Sequence, residues 1–288
     1  MNEWPELQVA PLPCVHGEGL RKVNIKRAVV VCFMPYLYRV AYDGSLFYGF
    51  TGHPSSVEPV LRRVFGEVLG RGSRTDPGVS AVANVVMVPR RLPIGYVNSK
   101  LPRGVWVWAV AEVPDGFNPR RARLRRYLYV APHWGEDLDA MREAAELLAG
   151  THDYASFIQR LGEEGSTVTT VYEIKVEVRR DLVYIYYTGR GFRNKMLRKL
   201  TWAILAAGRG VLRRRDIEEL LARPRPGAVP SAHAEGLVLL DIDYGVEFQV
   251  DKAALRSAYT YFLAKYRHTA AHAAALKAAG EALAGWDE

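Results

Sequence analysis

The stretch from Val171 to Thr188 constrains the fold more than any other. Val171 to Arg179 alternates, with Tyr172, Ile174, Val176 and Val178 on one face and charged side chains on the other. A period of two fits a half-buried strand and no helix. Arg180-Asp181 then turns the chain into a second run, Leu182 to Thr188, so the segment reads as a β-hairpin. The remaining strand-like runs are Met34–Tyr42, Asn84–Val88, Val105–Val113, Arg125–Ala131 and Leu237–Tyr244. They are interspersed with helical patterns in no regular strand–helix–strand alternation, which predicts an α+β fold with antiparallel sheets.

The helices follow from spacing. Val57, Val60, Leu61, Val64, Phe65 and Val68 recur at helical intervals after Ser55-Ser56-Val57-Glu58, which has the form of a capping box. Further helices are expected at Ile94–Lys100, Asp137–Leu148, Asn194–Gly208 and Asp216–Ala222. At 288 residues the chain has room for two domains. The expected division is a Pro-rich extension over 1–33, one half over 34–126, a second over 127–246, and a helical tail over 247–288. The change of texture at Met34 also marks it as a candidate translation start. In the tail, Leu255, Tyr259, Phe262 and Tyr266 share a helical face, and the alanine-rich stretch Ala270–Ala284 beyond it is expected to be helical, whether it docks, mediates association or frays.

No apolar run approaches the ~20 residues a membrane span needs. With two cysteines, Cys14 and Cys32, there is no disulfide framework, and a cytoplasmic setting is expected. The charge is uneven. Lys and Arg number 39 against 31 Asp and Glu, and the surplus clusters. Arg120, Arg121, Arg123, Arg125 and Arg126 form one group; Arg190, Arg193, Lys195, Arg198 and Lys199 a second; Arg209, Arg213, Arg214 and Arg215 a third. Such patches point to a polyanion, most simply nucleic acid, over a merely solvated surface.

Three segments carry candidate chemistry. In Gly72-Ser-Arg-Thr-Asp-Pro-Gly-Val-Ser-Ala81, Arg74 and Asp76 sit two apart in a tight Pro-Gly turn. Asp, Pro and Gly also build ordinary turns, but a carboxylate held this way can attack an electrophilic carbon. In Arg125-Arg-Tyr-Leu-Tyr129, Tyr127 and Tyr129 either pack on one face or, interleaved with arginine, stack an unpaired base. In Gly191-Phe-Arg-Asn-Lys-Met-Leu-Arg-Lys199, Arg198 falls opposite the stripe of Met196, Leu197, Leu200, Ala203, Ile204 and Ala207, free to meet a ligand or solvent. There is no Walker loop, Gly-x-Ser-x-Gly elbow or Cys-x-x-Cys pair. His268 and His272 are four apart with no third metal ligand nearby in sequence.

Taken together and in order, these motifs resemble the TruA-like tRNA pseudouridine synthases, in their archaeal form. The matching pieces include Tyr42-Asp-Gly-Ser-Leu-Phe-Tyr-Gly-Phe50, Ser73-Arg-Thr-Asp-Pro-Gly-Val-Ser-Ala81 and Val97-Asn-Ser-Lys-Leu-Pro102. Val113-Pro-Asp-Gly-Phe-Asn-Pro-Arg120, Arg125–Tyr129, Gly150-Thr-His-Asp-Tyr-Ala-Ser-Phe157, Gly191–Arg198 and Ala234-Glu-Gly-Leu237 continue it. The resemblance implies two similar α+β halves forming one continuous antiparallel sheet with a central RNA-binding cleft. It implies isomerisation of uridine to pseudouridine at positions 38 to 40 of the tRNA anticodon arm, without a cofactor, by a homodimer. By the same resemblance Asp76 is the catalytic aspartate and Arg74 positions the flipped nucleotide. Tyr127 lies against the target base, and Arg198 pairs with Asp76. Arg120, Arg121, Arg123, Arg125, Arg126 and Lys195 are then expected to grip the RNA backbone. Val79-Ser80 stands where bacterial members usually have Val-His. The alternative is a non-catalytic RNA-binding module on the same scaffold. An RNA methyltransferase is disfavoured by the lack of a Gly-rich loop after a strand.

Overall fold

The computed structural model describes residues 34–159 and 165–284, with side chains through 279; the expected extension over 1–33 lies outside the described residues. In chain order the elements are β1 (Tyr36–Tyr42), α1 (Val57–Phe65), β2 (Gly70–Arg71), β3 (Ser80–Val88), α2 (Ile94–Lys100) and β4 (Val105–Glu112). Next come β5 (Leu124–Pro132), α3 (Leu138–Leu148), β6 (Gly150–Asp153), β7 (Val168–Arg179) and β8 (Leu182–Gly189). The chain ends through α4 (Met196–Gly208), α5 (Arg214–Ala222), β9 (Leu237–Asp243), β10 (Gln249–Val250) and α6 (Lys252–Ala284).

Among the described residues the strands form one sheet in the order β10-β4-β1-β3-β9-β5-β8-β7-β6, with β2 added on β3. This is the expected continuous α+β sheet. It is antiparallel except at its centre, where β3 and β9 run parallel through Ser80↔Val238 and Ala81↔Leu239. Those two strands are remote in sequence, so no hairpin dictates their relative sense. The seam joins β10, β4, β1 and β3 to β9, β5, β8, β7 and β6. The expected division at 126/127 falls inside β5, and the segment after β9 returns to pair β10 with β4.

Helices supply the packing. Val57, Val60, Leu61 and Phe65 of α1 are buried, and Phe65 stacks on the fully buried Tyr38 of β1 at 4.9 Å. Met141, Ala144, Ala145 and Leu148 do the same for α3. Gly208 lets α4 meet α3 closely: a Cβ there would lie 2.5 Å from Met141 Cγ. Deleting a buried side chain of this kind, as in Leu61→Ala, costs about 2–5 kcal/mol.

Three local expectations are corrected. Ser56 is the N-cap of α1 but makes no capping bond; its hydroxyl donates to Tyr48 O at 2.7 Å, and Glu58 instead binds Arg62 and Arg71. Tyr172 is 53% exposed, because a register shift between Val171 and Glu173 gives β7 one extra residue and puts Val171 inside in its place. Helix α4 starts at Met196 rather than Asn194, since Lys195 adopts the left-handed conformation (φ 55°) and cannot continue a helix. In α6 the buried positions are Ala254 and Ala258, whereas Leu255, Tyr259 and Tyr266 face outward.

Candidate active site

The site is built on the turn before β3. Pro77 and a positive φ at Gly78 (89°) shape it, and Val79 N donates to Asp76 O at 3.2 Å, as in a type II turn. A loop this short cannot satisfy its own backbone, so neighbours do so. The fully buried Asn84 accepts from Ser73 N at 3.1 Å and donates to Ser73 O at 3.0 Å. The same amide donates to Tyr42 Oη at 3.1 Å, and the Tyr42 hydroxyl bonds Thr75 Oγ1 at 2.7 Å. Phe50 N donates to Thr75 O at 3.0 Å. Asn84 and Tyr42 were not singled out in the sequence. The available signal was a lone amide among the apolar residues of a central strand.

Arg198 reaches this turn from the first turn of α4. Its Nη1 donates to Asp76 Oδ2 at 3.0 Å and its Nε to Ala232 O at 2.8 Å. Both charged side chains are largely withdrawn from water, Arg198 at 16% and Asp76 at 21% exposure. Ala232 N returns a bond to Arg198 O at 2.9 Å, so the guanidinium sits in a fixed frame. A charge-assisted bond in partly excluded solvent fixes the carboxylate's orientation.

Tyr127 projects from β5, and its hydroxyl bonds Ser73 Oγ at 2.7 Å. Its ring meets Phe192 edge-on at 5.5 Å. Burial pushes the phenol's pKa up, the Ser73 bond and the Arg125 charge pull it down, and the Asp76 charge adds to the rise. The phenol is therefore protonated at neutral pH. Arg74 is exposed on the same loop, with no hydrogen bond or ion pair among the described residues. The structure thus brings Asp76, Tyr127 and Arg198 together beside the parallel seam and leaves Arg74 at the rim. A cavity lined by Glu58, Arg62, Arg71, Asn118 and Arg120 lies elsewhere and includes none of these three.

The arginine clusters divide. Arg120, Arg121, Arg123 and Arg126 are exposed, and Lys195 is half-buried at the start of α4. Arg125 is not available to a phosphate. It is 7% exposed, and its guanidinium donates to the carbonyls of Gly72, Arg120 and Arg190. Alternation along β5 turns it inward while Arg126 faces out. Lys199 is likewise buried, its ammonium on Val229 O at 2.6 Å, and burial holds its pKa down. The third cluster is partly neutralised, with Arg209 paired to Glu136 and Arg214 to Glu143 and Glu218. On the sheet, Arg39 bonds Asp241 and lies over Phe248 and Trp108, 4.5 and 5.5 Å from their ring centres. Among the described residues no three His, Cys, Asp or Glu side chains form a metal cluster, and no helix is long and apolar enough to cross a membrane.

Comparison with known proteins adds the decisive observation. Residues 144–245 match the family model described as tRNA pseudouridine synthase. The tRNA pseudouridine synthase A of Pyrobaculum neutrophilum is 76% identical over 255 residues, covering 88% of this chain and 100% of that protein. The chain belongs to the tRNA pseudouridine synthase family. These synthases are isomerases, and the archaeal likeness extends to Thermococcus kodakarensis, whose synthase A is 34% identical over 84% of this chain and 97% of its own. Among solved structures, a Cbf5–Nop10–Gar1 complex aligns over 71% of this chain and 48% of that chain, at 15% identity and a TM-score of 0.35.

Proposed function

We propose that this synthase isomerises uridine to pseudouridine at positions 38 to 40 of the tRNA anticodon arm, with Asp76 acting on the ribose and no cofactor. The observation that carries the reading is the Arg198–Asp76 bond at 3.0 Å, made across 122 residues of sequence and shielded from water. In the reaction the target uridine leaves its stack, the C1′–N1 bond breaks, the uracil rotates, and C1′ bonds to C5. C5 loses its proton and N1 gains one, so no oxidant or donor is consumed. A carboxylate oriented by Arg198 serves either route to bond cleavage, addition to the ribose or removal of a ribose proton.

Tyr127, whose hydroxyl is tied to the Asp76 loop, supplies a flat face for the base and a neutral phenol for proton transfer. Arg74, exposed at the loop, holds the displaced nucleotide. Arg120, Arg121, Arg123, Arg126 and Lys195 contact the phosphates, a role for which Arg125 is withdrawn. The family resemblance supports a homodimer as the working unit, which sedimentation tests.

The test is pseudouridine mapping on an unmodified tRNA transcript with wild type and Asp76→Asn in parallel. New pseudouridine in the anticodon arm with wild type alone is expected, with tRNA affinity kept within about threefold and turnover down about 10³-fold or more. Normal turnover by Asp76→Asn overturns the mechanism. Modification confined to another part of the tRNA overturns the assignment of position.

A further inference from the structure

The root of α6 makes a contact that neither the sequence motifs nor the reaction accounts for. The helix packs along β4, where Trp106 meets Tyr261 and Phe262 at 4.8 and 5.9 Å. From there two polar side chains reach Asp43, whose own side chain is 4% exposed. Tyr261 Oη donates to Asp43 Oδ2 at 2.8 Å, and the Lys265 ammonium donates to the same oxygen and to Ser45 Oγ. The other oxygen, Oδ1, accepts from Ser45 N at 3.1 Å and Ser45 Oγ at 2.8 Å. The Ser45 bonds alone would make an ordinary Asx turn. The bonds from α6 are additional, and they span 218 and 222 residues of sequence. Burial opposes ionisation of Asp43, but the Lys265, Tyr261 and Ser45 bonds outweigh it and hold the carboxyl below its usual range.

The residue after Asp43 touches the catalytic turn. A Cβ on Gly44 would lie 2.3 Å from Val79 C and O and 2.6 Å from Gly78 O, so the two backbones meet with no side chain between them. Gly44 N also donates to Ser80 Oγ at 3.0 Å. Pro77, Gly78 and Val79 form the turn that starts at Asp76. Backbone in contact with backbone cannot absorb a displacement by changing a rotamer, so movement of Asp43 passes to the turn.

We infer that Tyr261 and Lys265 of α6 are positioning residues for the Asp76 turn, acting through Asp43 and Gly44. The inference rests on the role given to Asp76 above. The C-terminal helix thereby becomes part of the apparatus that sets the distance between carboxylate and ribose, though it contributes no group to the reaction. A misplacement of about 1 Å at a reacting group costs about 10²-fold in rate.

The test compares wild type, the double variant Tyr261→Phe/Lys265→Met, Lys265→Arg and Asp76→Asn. Each is assayed for single-turnover isomerisation and tRNA binding below its own melting temperature. The expected result for the double variant is a rate about 10- to 100-fold lower with tRNA affinity within twofold, and for Lys265→Arg a rate within about threefold of wild type. A rate for the double variant within twofold of wild type overturns the inference, as does a loss confined to affinity or to melting temperature. Should the double variant not fold, Tyr261→Phe, which removes only a hydroxyl, carries the test: a rate loss of threefold or more is expected, and an unchanged rate overturns it. Asp76→Asn separates the two readings. If it retains turnover the role of Asp76 falls, whereas an inactive Asp76→Asn beside a fully active double variant removes only the part played by α6.

Discussion

The Asp76 turn and the outer half of α6 sit at opposite ends of how a segment can be held. The turn has no regular structure, yet Asn84, Tyr42, Phe50, Gly44 and Arg198 fix its polar groups from outside. The helix is regular for 33 residues and satisfies its own backbone, yet every described side chain from Tyr266 to Ala279 is exposed. Regularity and positional definition are therefore separate properties. A helix needs only local hydrogen bonds to exist, whereas a catalytic carboxylate needs non-local bonds to stay in one place.

Substitutions along that contrast have graded consequences. The largest effect is expected at the turn's central support. Asn84→Leu removes the side-chain partner of Ser73 N and Ser73 O and leaves the Tyr42 hydroxyl with Thr75 alone, a loss of about 2–4 kcal/mol. Isomerisation should fall with it, and denaturant unfolding together with single-turnover assays checks both. A near-neutral result would mean that the turn holds its shape by itself.

Next in size is the arginine pair on β5. Arg125→Met strips three carbonyls, including Gly72 O at the base of the turn, and should cost about 2–3 kcal/mol with little change in the salt dependence of tRNA binding. Arg126→Met should do the reverse, leaving stability within about 0.5 kcal/mol and reducing the salt slope by about 0.7–0.9. Unfolding curves and titrations at several salt concentrations distinguish the two, and equal behaviour would erase the distinction drawn between neighbouring residues. The smallest effect is expected on α6, where Tyr266→Ser should change the melting free energy by less than about 0.5 kcal/mol. A larger loss would show that the outer helix is held by contacts its exposure conceals.

Much of the architecture was legible beforehand. The β7–β8 hairpin, the short helix at Ile94–Lys100 and the strand at Val105–Glu112 follow from periodicities of two and 3.6, which are local properties of a chain. The errors also have local causes. Tyr172 obeys the alternation of β7 until a bulge inverts it, and Lys195 sits in a helical pattern with a backbone angle that no pattern encodes. The stripe at Leu255, Tyr259, Phe262 and Tyr266 is real as a spacing, but the neighbouring stripe through Ala254, Ala258 and Tyr261 docks, because small side chains let the helix approach β4.

The candidate site was legible to a different degree. Asp76, Tyr127 and Arg198 were reached through ordered motifs and a family resemblance, since composition and spacing left each with an ordinary alternative. The sequence by itself determined the element types, the basic surplus and the ordered set of motifs, all of which depend on residues close together in the chain. Only the tertiary structure decided which charges face water and which are consumed. Arg125 and Arg126 are neighbours with opposite fates, and Asp43 meets Lys265 from 222 residues away. Ion pairs and buried hydrogen bonds depend on distances of a few ångströms between groups that the chain's length does not relate, and folding alone sets those distances.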